Sequence, residues 1–264
     1  TRLVSDWSSD VCSSDLAVPA QTPFARVREE RKIVIDGVEE TWRLVWTARP
    51  KAECGLSDAS LTCPCEVFAY GEAGPMDLVR LRKGLPPERI SLAPLFGENF
   101  GSRTPVAIIQ RWLPNRETDT YEAFRSGGHR EAVMRRPTVR IMNFDDYDHD
   151  GRATEFYLQT ESLPCGKSYG VVLGVSRTRP ALHVFSTADS QPIYLQKRNW
   201  ALLARATGPI EAPYWTCGDH GYPNELRVML SWTPQGITGT TRAYSCPPGP
   251  RRLLSEAPLD AKLE

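Results

Sequence analysis

Thr138-Val139-Arg140-Ile141-Met142-Asn143-Phe144-Asp145-Asp146-Tyr147-Asp148-His149-Asp150-Gly151-Arg152-Ala153-Thr154-Glu155-Phe156-Tyr157-Leu158-Gln159 reads as strand, acidic loop, strand. The two flanks, Thr138 to Met142 and Glu155 to Gln159, are short and rich in β-branched and aromatic residues, which fits strands better than helices. Between them, Asp146, Asp148 and Asp150 stand at alternate positions and Gly151 follows at once. Hard cations such as calcium take several oxygen ligands, and alternate Asp side chains on a tight loop can converge on one ion. The glycine permits the sharp turn that brings later ligands back to the same centre.

Outward from this loop, strand signals dominate. Lys32 to Ile35 and Thr41 to Trp46 flank Asp36-Gly37, a hairpin-type turn. Val67 to Tyr70 and Leu78 to Leu81 flank a Gly/Pro turn, and Pro105 to Ile109 reads as a further strand. Gly170 to Val175, Leu182 to Phe185, Leu226 to Leu230 and Thr241 to Tyr244 complete the series. One helix is expected from Lys197 to Ala206, and short helices on either side of Gly127-Gly128 within Tyr121 to Arg136. The 22 prolines and 19 glycines break the chain often, as many short strands and turns require. The expected class is mainly β with a few short helices, a sandwich or propeller-like strand-loop-strand units, or α+β. One β-rich domain is expected over 17–246, with a sub-boundary or inserted lobe near 114–137 and a mobile tail over 247–264. Asp219-His220-Gly221 before Glu225 is a faint echo of the acidic loop, with irregular spacing.

The chain ends carry different information. Asp6-Trp7-Ser8-Ser9-Asp10-Val11-Cys12-Ser13-Ser14-Asp15-Leu16 resembles a translated short-read sequencing adapter, and Thr1-Arg2 fits the same oligonucleotide. Residues 1–16 are therefore set aside as non-native. Ala17-Val18-Pro19-Ala20 resembles the end of a secretory signal whose apolar stretch would lie upstream, so a lost signal peptide and an extracytoplasmic location, periplasmic or secreted, are expected. The formal charge of the 264-residue chain is +0, which argues against a nucleic-acid partner, since such proteins carry a basic stripe. No apolar run approaches the ~20 residues that cross a bilayer. Cys54, Cys63, Cys65, Cys165, Cys217 and Cys246 form an even set that fits disulfides and export. A bridge from Cys54 to Cys63 or Cys65 is plausible on proximity, and Cys165 is a candidate partner for Cys217.

The acidic loop between strands is similar to the calcium loops of FG-GAP or integrin-type (VCBS-like) repeats in exported bacterial proteins. The resemblance covers about Val139 to Phe185. It implies side-chain ligation by Asp146, Asp148 and Asp150 and a backbone carbonyl from Arg152. The family has an acid two positions later, where this chain has Thr154; its acid comes one residue on, at Glu155. Either Thr154 or a water completes the site, or the loop shifts to admit Glu155. An EF-hand would need flanking helices and an acid where Tyr157 stands. Read as a plain turn, the loop would leave its carboxylates repelling one another with nothing to neutralise them.

Other constellations are incomplete. Gly166-Lys167-Ser168 ends like a P-loop, but Glu161 replaces the earlier glycine. Cys217 and His220 lack the spacing of a zinc knuckle with Cys63 and Cys65. Asp145 and Asp146 are adjacent and point apart, unlike a glycosidase pair. Most of the tryptophans, among them Trp42, Trp46, Trp200 and Trp232, are expected in the core rather than on a sugar platform. The resulting expectation is an exported, calcium-stabilised, non-catalytic binding domain for a protein or glycan ligand. The alternative is an exported hydrolase in which the calcium loop is purely structural.

Overall fold

Arg26–Ile35 (β1) and Val38–Trp46 (β2) pair antiparallel in register Ile35 to Val38, so the connection is the two-residue turn Asp36-Gly37. Both turn residues have positive φ, 49° and 82°, as a hairpin turn matched to strand twist requires. The computed structural model describes residues 25–53, 70–97, 105–115, 117–119, 123, 129–163, 167–187, 191–233 and 236–259. The remaining strands are Lys51–Glu53 (β3), Gly71–Gly74 (β4), Met76–Arg82 (β5), Glu88–Ser91 (β6), Ala107–Gln110 (β7), Phe144–Asp145 (β8), Glu155–Leu163 (β9), Lys167–Gly174 (β10), His183–Val184 (β11), Leu195–Gln196 (β12), Ile210–Trp215 (β13), Asn224–Thr233 (β14), Gly236–Ser245 (β15) and Leu253–Pro258 (β16). The α-helices are His129–Met134 (α1) and Lys197–Leu203 (α2). The protein is mainly β, as its sequence indicates.

The strands form four antiparallel sheets, none of them a closed barrel among the described residues: β1-β2-β5-β6, β3-β4-β7, β8 to β11 with β12 on β10, and β13-β14-β15-β16. The third sheet is central because both its faces are buried. Along β10, Val171 and Leu173 enter one core with Trp42, Leu44, Met76 and Ile109, while Tyr169 and Val172 enter a second with Trp200, Leu203, Val228 and Leu230. Strand side chains alternate across a sheet, so a nearly continuous apolar run is what two covered faces demand. The helix α2 covers part of the second face, and its buried Trp200 donates Nε1–H to the Gly170 carbonyl at 2.9 Å. Trp42, Trp46 and Trp200 are fully buried, as expected, whereas Trp232 is only partly so.

Several expectations fail for identifiable reasons. Thr138 to Met142 is not a strand; the ladder is limited to β8. The Glu29 carboxylate accepts the Ile141 and Met142 N–H groups at 2.7 and 3.1 Å, doing the work of a neighbouring strand. Gly71 to Gly74, read as a turn, is a strand because its backbone pairs on both sides, with β3 and β7; Val67 to Ala69 lie outside the described residues. The expected tail from Pro247 contains β16, which pairs with β15 from Thr240↔Pro258 to Tyr244↔Leu253 and places Leu259 in the second core. Cys217 bonds to Cys246, with Cα atoms 5.6 Å apart, not to Cys165. The bridge joins the turn before β14 to the end of β15, a juxtaposition made by sheet pairing and invisible in spacing. Cys54, Cys63, Cys65, Cys165, the segment 1–16 and the start at Ala17 lie outside the described residues.

Within 114–137, α1 is present, and Asp119 accepts hydrogen bonds from Tyr70 Oη at 2.8 Å and from Arg136 Nη1 at 2.9 Å, with His129 Nε2 at 3.1 Å. This segment is thus tied to the start of β4 by buried polar contacts. No helix among the described residues is long and apolar enough to cross a membrane.

A close contact in the central sheet lies where Gly174 faces Glu155 in the β9–β10 register. A Cβ at Gly174 would lie 2.6 Å from the Thr154 carbonyl oxygen and 2.7 Å from Glu155 Cγ. We expect Gly174→Ala to destabilise the fold by about 1–3 kcal/mol, because backbone rather than a flexible side chain must yield. Urea unfolding measures this, and an unchanged midpoint would contradict the close approach.

Candidate metal centre

The acidic loop closes as a hairpin because Asp145 pairs with Glu155 and Phe144 with Phe156. Inside it the carboxylates shape the backbone. Asp146 accepts the Asp150 N–H at 3.1 Å and the Gly151 N–H at 2.9 Å, and Asp148 accepts the Asp150 N–H at 3.1 Å. Such side-chain-to-backbone bonds are why Asp recurs in turns. His149 and Gly151 both have positive φ, 59° and 85°. His149 is held in that unusual conformation by its own ring: Nε2 lies 2.9 Å from the Leu203 carbonyl and the imidazole meets the Trp232 ring edge-on at 6.1 Å. Since a carbonyl only accepts, Nε2 carries the proton.

Asp146, Asp148 and Glu155 each bring a carboxylate oxygen within 4.8 Å of the other two. Asp146 and Asp148 are partly exposed, whereas Glu155 is completely buried. Glu155 Oε2 accepts the Tyr147 N–H at 2.9 Å, and Oε1 lies against the Thr154 hydroxyl. The Thr154 Oγ1 also lies 2.8 Å from the Val175 carbonyl, and donates there when Glu155 is protonated and donates to it in turn. Among the described residues no basic side chain forms an ion pair with any of the three carboxylates.

The electrostatics follow. Burial, and then the neighbouring charges of Asp148 and Asp150, push Glu155 up to about 8. Burial, with Asp150 and Asp146, pushes Asp148 up to about 6. The remaining expected ligands behave differently. Against the desolvation of its site, the Arg152 guanidinium and the Arg177 amide hold Asp150 below the usual carboxylate range. Its carboxylate bonds to Arg152 Nη2 at 2.8 Å and to the Arg177 N–H at 2.7 Å. The Arg152 carbonyl accepts the Thr154 N–H at 3.0 Å, and its guanidinium also reaches Asp36 at 3.0 Å. Of the six residues expected as ligands, Asp146, Asp148 and Glu155 come together; Thr154 touches Glu155, and Asp150 and Arg152 pair with each other.

Three carboxylates and no thiol or imidazole make a hard donor set, suited to calcium, magnesium or manganese rather than zinc. Sequence reasoning missed Arg177, which seals Asp150 from the β10–β11 connection; the Arg177-Thr178-Arg179 run just past a buried strand was its only trace. The echo at Asp219 is a 3-10 turn, Asp219–Gly221, leading to β14, and no second cluster of potential ligands forms there among the described residues. Lys167 begins a strand, so the P-loop fragment opens no helix. Comparison with protein-family models, with curated proteins and with solved structures yields no match to this chain.

The raised carboxylates fix a sign for the metal-free protein. Glu155 keeps its proton in the folded chain up to about pH 8 but loses it near 4.5 when unfolded, so stability is full below about 4.5 and falls as pH rises to about 8. Asp148 adds the same trend between 3.8 and about 6. We expect the Tm in EDTA to drop between pH 5 and 8, and Glu155→Gln to flatten that slope; a Tm that rises over this interval would contradict the buried cluster.

Proposed function

We propose that the loop from Asp146 to Glu155 binds calcium, and that the chain is an exported, calcium-stabilised, non-catalytic binding domain. The observation that carries this reading is the Glu155 carboxylate, fully buried beside Asp146 and Asp148 without a basic partner in an ion pair. Ionising it in that position costs desolvation and like-charge repulsion, and a divalent cation offsets both. Calcium suits an irregular loop with partly exposed carboxylates better than magnesium, which demands near-ideal octahedral geometry. Water and loop carbonyls would supply the ligands beyond the three carboxylates.

Export is supported by the Cys217–Cys246 bridge, which is compatible with an oxidising compartment. The non-catalytic reading is favoured because His149 and His183 each commit one ring nitrogen to a backbone carbonyl, at 2.9 Å in both cases. Such anchoring ties both rings to the backbone of the fold.

At neutral pH, calcium at ~100-fold excess over its Kd should raise Tm by about 5–10 °C relative to EDTA. Asp148→Ala should abolish the rise, and magnesium should give less of it. No calcium-dependent shift in the wild-type protein would remove the metal reading.

A further inference from the structure

The acidic loop forms one wall of an open cleft of about 530 Å³, a volume in the range of small-ligand sites. Four rings line it in an unbroken series. His183 packs against Phe185 with centroids 5.0 Å apart, Phe185 meets Trp232 edge-on at 5.6 Å, and Trp232 meets His149 at 6.1 Å. Arg177 and Arg179, both exposed, reach the same cleft from the connection between β10 and β11. Arg177 is positioned by Asp150, whose carbonyl accepts its Nε–H at 2.9 Å, and its Nη1 and Nη2 make no hydrogen bond among the described residues. Arg179 forms no ion pair among the described residues.

The connection that carries these arginines is rigidly held. The Pro180 carbonyl accepts Arg80 Nη1 at 2.6 Å, and Arg80 is itself clamped by the buried Glu40 carboxylate at 2.6 and 2.7 Å. Glu88 accepts the Leu182 N–H at 2.9 Å. Binding groups fixed by such contacts lose little freedom when a ligand arrives. Asp150 is neutralised by Arg152, so the charges that remain in the cleft are the two guanidinium groups and Asp148.

We propose that this cleft binds a carboxylate-bearing ligand with a flat apolar face, its carboxylate taken by Arg179 and Arg177 and its face laid against Trp232. Guanidinium groups match a carboxylate in charge and in planar geometry, and an indole accepts both sugar faces and aromatic rings. A uronic acid residue of an acidic glycan and an aromatic carboxylate share this chemistry. The inference rests on the calcium reading in one respect: a cation on Asp148 cancels the one negative charge that opposes the ligand.

The test is isothermal titration calorimetry of the full chain with digalacturonate, benzoate and, as neutral control, cellobiose, each in calcium and in EDTA. We expect one of the two carboxylates to bind and cellobiose not to, the better binder identifying the source, with weaker binding in EDTA. Arg179→Ala is exposed and should keep the wild-type Tm while weakening binding at least about tenfold, the scale of one charge-assisted hydrogen bond. Trp232→Phe should weaken it less. Absence of binding by both carboxylates, or equal affinity in Arg179→Ala and wild type, overturns the inference. A calcium-dependent Tm shift without carboxylate binding would overturn the cleft alone; carboxylate binding indifferent to EDTA, with no such shift, would overturn only the calcium reading.

Discussion

Glu155 puts a buried carboxylate at the first residue of a strand of the central sheet. Its oxygens are met by the Tyr147 N–H and the Thr154 hydroxyl, and its chain lies across Gly174 in the neighbouring strand. Those contacts close the acidic loop onto the central sheet. They also fix what the loop can do, because the same group is repelled by Asp148 and Asp150 and stays protonated until about pH 8. An uncompensated buried carboxylate is costly, and a cation or a proton is what can lower that cost.

The sheet that carries Glu155 depends in turn on polar junctions with its neighbours. Glu40 holds Arg80 and accepts Trp42 Nε1–H at 3.1 Å, and Arg80 reaches across to the Pro180 carbonyl. Glu29 caps two amides of the chain that enters β8. Arg28 gives Nη2–H bonds to the Gln110 and Val139 carbonyls at 3.0 and 2.9 Å. Charged side chains here satisfy backbone groups where one sheet ends and another begins, so removing one partner would strand a buried charge or amide. Apolar packing on either side of β10 supplies the non-directional attraction, and these junctions select the register.

The loop and the cleft beside it are mechanically one unit. Asp150 belongs to the acidic run in sequence, yet in space it anchors Arg152 and Arg177, and Arg177 lines the cleft. His149 belongs to the same run, and its ring continues the aromatic series through Trp232 to Phe185. Asp148 and Glu155 thus lie within a few ångströms of residues that line the cleft.

Local chemistry made much of this protein legible in its sequence. Asp36-Gly37 between two alternating runs specified the first hairpin; the runs at Gly170 to Val175 and Leu226 to Leu230 specified strands; and Asp146, Asp148 and Glu155 were recognisable as potential oxygen ligands by residue type. Long-range pairing was not legible. Only the assembled sheets decided that β16 completes the fourth sheet, that Cys246 meets Cys217, and that Glu29 replaces a strand beside Ile141. The same holds for Asp150, whose carboxylate accepts the N–H of Arg177, a residue 27 positions away. Turn and strand signals arise from neighbours along the chain, whereas the partner of a charge is set by which surfaces the folded core brings together.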